Sequence, residues 1–219
     1  MTPSPGSPFW PRLWALCVLA SLFLGWRWSS GCVRYGLSAF ESLGFAFDAA
    51  RDVTFLRLWR GEAQLGNLLG PLSLLGLLAT CGLAAWGWLP ATWLSRRRWL
   101  RLAPLLGLGL VGVARAATLT LNGSADPSAL ALGSLLSLAC LALSGGATWA
   151  AWRAEGRLAR RLTVATALCA GLVVCVDLYF FVGAALSLGG ATGLAWHALR
   201  PLPPGDLIGE LQVEPEAEE

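Results

Sequence analysis

The chain has 219 residues, 56% of them hydrophobic and 13% charged, with a mean hydropathy of +0.61. That charged fraction is roughly half of what soluble domains carry, and long apolar runs point to a bilayer instead of an aqueous core. The net charge of +3 is arginine against acid with no lysine, and six of the thirteen acids fall after Pro204; no nucleic-acid partner is expected.

Residues 1–11 carry four prolines and read as a disordered lead. Residues 12–28 form the first expected transmembrane helix, with Trp10 and Trp14 around its start and Trp26 and Trp28 at its end. From Trp10 to Trp28 a helix covers about 27 Å at 1.5 Å per residue, close to the ~30 Å hydrocarbon core. The rival reading is a cleaved signal peptide, with Ser29 and Gly31 ahead of Cys32; the bulky Trp26, Arg27 and Trp28 argue against it.

Segment 29–67 is too charged to cross. Inserting Arg34, Glu41, Asp48, Arg51, Asp52 and Arg57 would cost on the order of 15 kcal/mol. An amphipathic helix over 38–60 is expected instead, opened by Ser38 and Glu41 as a capping box. It sets Glu41, Asp48 and Asp52 on one stripe beside an apolar face of Phe40, Leu43, Phe47 and Leu58. The helix lies on the membrane surface in this reading. The acidic stripe is a candidate contact for a hard cation or for a partner's arginines. Followed by its apolar run, segment 43–61 resembles part of the peroxisomal membrane-elongation proteins, which also use amphipathic helices. That family's amino-terminal region has no counterpart here, and no residue role is carried over. A long first outer loop is shared with four-span junction-type proteins, but their loop tryptophan and cysteine pair are absent. The chain is identified with no family.

Residues 68–89 form the second span. Gly66 and Gly70, then Gly76, Thr80 and Ala84, make a small-residue stripe suited to close helix packing. A basic loop, 90–101, holds Arg96, Arg97, Arg98 and Arg101. The third span, 102–121, contains Arg115; a short turn, 122–128, leads to the fourth span, 129–152. A second basic loop, 153–161, holds Arg153, Arg157, Arg160 and Arg161. Both basic loops fall on one side, so the positive-inside rule puts them and the amino terminus in the cytosol and segment 29–67 outside. The sequon at Asn122 lies too close to the membrane for glycosylation to be expected.

The last apolar run, 162–199, is too long for one crossing. A fifth span over 162–188 is expected, with a break at Gly189 and Gly190 and an interfacial segment over 189–200. The alternative is a tight hairpin that makes a sixth span. Residues 201–219 read as an acidic, disordered tail. The expected fold is therefore all-α: a polytopic helical membrane protein of about five transmembrane helices plus the surface helix.

Two charges sit inside spans. Arg115 lies 13 residues beyond Leu102 and Asp177 lies 15 beyond Leu162, roughly 20–23 Å from the same side at 1.5 Å per residue. A lone charge at mid-membrane costs about 2.5–3.5 kcal/mol, so an intramembrane ion pair between Arg115 and Asp177 is the main expectation. The alternative is that Arg115 reaches back to an interface.

The inventory for catalysis is thin. The single histidine, His197, reads as an interfacial side chain, and no zinc, haem or nucleotide motif is found, so no cofactor or metal is expected. Cys17, Cys81, Cys140, Cys169 and Cys175 lie in apolar spans and read as small hydrophobes. The reading is a non-enzymatic structural, membrane-organising or assembly subunit whose partners are the lipid bilayer and a membrane protein or further copies of itself. The alternative is a small-solute or ion channel or transporter that uses Arg115 and Asp177.

Overall fold

A computed structural model of the chain describes residues 9–24, 27–28, 36–37, 65–122, 127–176 and 181–200. The stripe of Glu41, Asp48 and Asp52, the helix expected over 38–60, Asp177 and the acidic tail lie outside the described residues. The described chain is helical. In order come α1 (Phe9–Ser21), α2 (Leu65–Trp86), the short α3 (Ala91–Arg96), α4 (Arg98–Asn122), α5 (Pro127–Trp152), α6 (Gly156–Val176) and α7 (Phe181–Ala198). A two-residue antiparallel ladder joins β1 (Arg27–Trp28) to β2 (Gly36–Leu37), with Arg27 opposite Leu37.

Helix α4 is the centre of the bundle and packs against α2, α5, α6 and α7, while α1 lies against α7 and α2. Glycines set the spacing. A side chain at Gly76 would collide with Ala114 and the Leu110 carbonyl, and one at Gly109 with Ser144 and the Cys140 carbonyl. At such points backbone meets backbone, and dispersion over many atom pairs holds the helices together. Pro104 sits inside α4 and has no N–H to give to the carbonyl four residues back. That carbonyl, of Leu100, instead accepts a hydrogen bond from Trp86 Nε1 at 2.7 Å, which ties the end of α2 to α4.

The bundle is apolar on its outer surface as well as in its core. Leu135, Leu138 and Leu168 are about two-thirds exposed, at 66, 67 and 68%, and Leu75, Leu78, Leu132 and Leu172 also face outward. Thr80, Ser137, Ser144, Thr163, Thr166 and Ser187 are buried. Each of these hydroxyls donates to a carbonyl three or four residues earlier in its own helix, such as Thr80 to Gly76 at 2.7 Å and Thr163 to Ala159 at 2.8 Å. Two stretches among the described residues, Arg98–Ala116 and Ala131–Trp152, are long and apolar enough to cross a membrane.

Three element boundaries differ from the sequence reading. Helix α1 stops at Ser21, tightens into i→i−3 bonds at Leu22, Phe23 and Leu24, and gives way to β1, so 12–28 is not one helix. Segment 90–101 is largely helical, with α3 and the first turn of α4 in place of a loop. Most consequentially, α6 ends at Val176 and α7 runs unbroken through Gly189 and Gly190 to Ala198. Two glycines weaken an isolated helix by roughly 1 kcal/mol each. Here Gly190 is the contact surface for α1: a Cβ would lie 2.6 Å from Val18 Cγ2 and 2.8 Å from the Trp14 carbonyl oxygen. The packing that the glycine permits outweighs its poor propensity.

Candidate functional site

Arg115 is wholly buried, at 0% exposure, on the central helix. Its Nε donates to Ser187 Oγ on α7 at 3.1 Å, and that hydroxyl donates onward to the Ala184 carbonyl at 3.0 Å. The adjacent Ala116 packs with Leu136 of α5 and Val173 of α6. The guanidinium is therefore buried where α4 meets α7. A guanidinium in so low a dielectric is held only by hydrogen bonds and opposite charge around it. The expected partner Asp177 lies outside the described residues. Ser187 is a partner that charge patterning could not reveal.

Arginine and tryptophan gather at one end of the bundle. The start of α4 meets the ends of α5 and α7 there: Arg98 donates to the Ala151 carbonyl at 3.1 Å, and Arg101 to the Arg200 carbonyl. Cations at helix C-termini satisfy the last carbonyls and oppose the helix dipole. Arg12 stacks over Trp88, Arg98 over Trp152, and Arg153 lies 3.9 Å over Trp149. Arg153, Arg157, Arg160 and Arg161 are exposed at the same end, where α5 turns into α6. This is the basic end.

A groove of about 690 Å³ opens between α1, α6 and α7 and runs to that end. Trp10 and Trp14 of α1 stack with ring centroids 6.4 Å apart, and Trp14 lies against the bare backbone of Gly193. Ala167, Gly171 and Cys175 of α6 and Leu188, Gly189 and Thr192 of α7 complete the apolar walls, while His197 and Arg200 stand at the mouth. His197 is half-buried, and its Nδ1 is buried with no hydrogen-bond partner among the described residues. Burial first, then the positive charges of Arg200 and Arg101, hold the imidazole below its ordinary value, so it is neutral at pH 7.

The sequence singled out Arg115, and the structure gives it a built environment; His197 was read only as interfacial, and the groove beside it was not foreseen. The available signal was the pairing of Gly190 and Gly193 on one face of α7, a landing strip for a large side chain such as Trp14. The structure also brings Cys140 and Cys169 together, Sγ to Sγ 3.6 Å, with Cys169 Sγ 3.9 Å from the Leu136 carbonyl. These features define a helical bundle with a buried cation and a lateral groove ending in cations. No protein family, curated protein or solved structure matches the chain.

Proposed function

We propose that this chain is a multi-pass integral membrane protein that acts as a structural, membrane-organising or assembly subunit, with no chemistry of its own. The apolar exterior carries the membrane part of this reading. In water, outward leucines such as Leu135, Leu138 and Leu168 would order solvent at a cost of roughly 25 cal/mol per Å². In lipid they are at home, and inward small residues let the helices close. The rim of tryptophan and arginine supports the same reading, because both gather at membrane interfaces and arginine favours the cytosolic one. The bond from Arg101 to the Arg200 carbonyl joins the start of α4 to the end of α7. It favours six crossings (α1, α2, α4, α5, α6 and α7) over five, with both chain ends in the cytosol. His197 and Arg200 then lie in the interface, at the basic end of α7.

A second apolar groove, about 600 Å³ between α2, α4 and α5, supports the assembly part. It is lined by Leu83, Trp86, Trp99, Leu106, Leu110 and Trp152, a surface suited to a helix of a neighbouring membrane protein. Purification in a mild detergent, with mass and co-purifying proteins determined together, tests it. The expected result is a stoichiometric membrane-protein partner or a homo-oligomer. A monomer that by itself moves solute across liposomes overturns it.

The complete burial of Arg115 favours one second reading, passage of a small solute or ion along an Arg115–Asp177 pair. Arg115→Met, Asp177→Leu and the double variant separate the two. Breaking a buried structural pair costs about 3–5 kcal/mol and joint replacement far less, whereas a passage loses flux in all three variants.

A further inference from the structure

We propose that the groove between α1, α6 and α7 holds one anionic phospholipid from the leaflet on the basic side, its phosphate at His197 and Arg200 and one acyl chain along Trp14, Leu188 and Gly189. The proposal rests on the membrane reading above. Charge at the mouth selects the headgroup. Arg200 and His197 line it, Arg101 is bonded to the Arg200 carbonyl beside it, and none of the described lining residues is acidic. A phosphate oxygen is an acceptor for the guanidinium and for the N–H of a neutral imidazole alike.

Depth selects a lipid tail. From Ala185 at the inner end to His197 at the mouth, α7 rises about 18 Å at 1.5 Å per residue, against roughly 15 Å for half of a ~30 Å hydrocarbon core. The volume, about 690 Å³, falls within the ~300–1,000 Å³ of pockets that enclose a ligand. The glycines of α7 divide the work between two faces. Gly190 and Gly193 receive α1, whereas a Cβ at Gly189, or at Gly171 across the groove, meets nothing within 4 Å among the described residues. The open space is thus a property of the groove itself, and a larger side chain at either position fills it without disturbing a helix contact.

Native mass spectrometry of the full chain in a mild detergent tests the proposal, with graded phosphatidylglycerol or phosphatidylcholine of identical acyl chains. The wild type is expected to retain one phosphatidylglycerol in preference to phosphatidylcholine. Arg200→Gln should weaken that retention roughly fivefold, the effect of one interfacial arginine. Gly189→Leu and Gly171→Leu should abolish the one-to-one species while leaving helix content and monodispersity unchanged. Equal retention of both lipids by the wild type overturns the site, as does wild-type retention in Gly189→Leu or Arg200→Gln; the membrane reading survives either result. A chain that is monodisperse and helical without detergent overturns the membrane reading and the site together.

Discussion

Ala154 carries a left-handed backbone, φ 64°, where α5 turns into α6. The Glu155 N–H reaches back to the Ala150 carbonyl at 2.9 Å and the Ala154 N–H to Ala151 at 3.1 Å, the two bonds of a Schellman cap. Glycine is the usual residue there, because an L side chain in this region costs roughly 1–2 kcal/mol. Ala154→Gly is expected to stabilise the protein by about 0.5–1 kcal/mol after glycine's greater unfolded freedom is subtracted, read as a higher denaturation midpoint in detergent. Trp86→Phe should act in the opposite direction. It leaves the Leu100 carbonyl, already deprived of its helical donor by Pro104, without the indole, at a cost of about 1–3 kcal/mol in the same assay. His197 links stability to pH. Its imidazole is held below its ordinary value near 6.5, so the unfolded chain takes up a proton before the folded chain does. Stability should fall as pH drops through 6.5 and level off once the folded value is passed; His197→Gln should remove that component of the slope.

At the scale of elements, helix identity was legible wherever apolar length and basic flanks coincided. The helices α2, α4 and α5 follow directly from runs bounded by Trp86, Arg98 and Trp152. In the second half of the 162–199 run the helix continues through the expected break, because local sequence does not show what packs on its glycines. Gly189 and Gly190 look like a break until α1 is known to lie on Gly190, and that contact joins positions far apart in the chain. The groove was hidden for the same reason: Trp10, Trp14, His197 and Arg200 come from opposite ends of the sequence. A direct check is Gly190→Leu. It forces a side chain into Val18 and the Trp14 carbonyl and should cost about 1–3 kcal/mol by overpacking. Limited proteolysis should then release α1 while α4 and α5 stay protected.

Over the whole molecule, the basic end organises the bundle. The ends of α5 and α7 and the start of α4 meet there through Arg98 and Arg101. An odd number of crossings would separate the two chain termini, whereas six would return them to one side. Epitope tags at both ends are therefore expected to share the accessibility of a label in loop 153–161 in sealed, oriented vesicles; tags on opposite faces would restore the five-span arrangement. Much of this asymmetry was readable in advance, since arginine clusters and their flanking tryptophans stand out in the chain. The inward turn of Arg115 toward Ser187 was not, because nothing local to α4 names a serine on α7.

That bond has a consequence for the order in which the protein is made. The buried hydroxyls of Thr80, Ser137, Ser144, Thr163 and Thr166 find their acceptors within their own helices, so each such helix leaves synthesis with those groups already satisfied. Arg115 is different. Ser187 follows it by 72 residues and is synthesised with α7, the last helix described. A chain truncated before α7 would carry its guanidinium without that bond and without the helix that α1 rests on. Addition of α7 thus supplies the Ser187 partner of Arg115 and a docking surface for α1 in one step, so the packing of early and late parts of the chain is coupled.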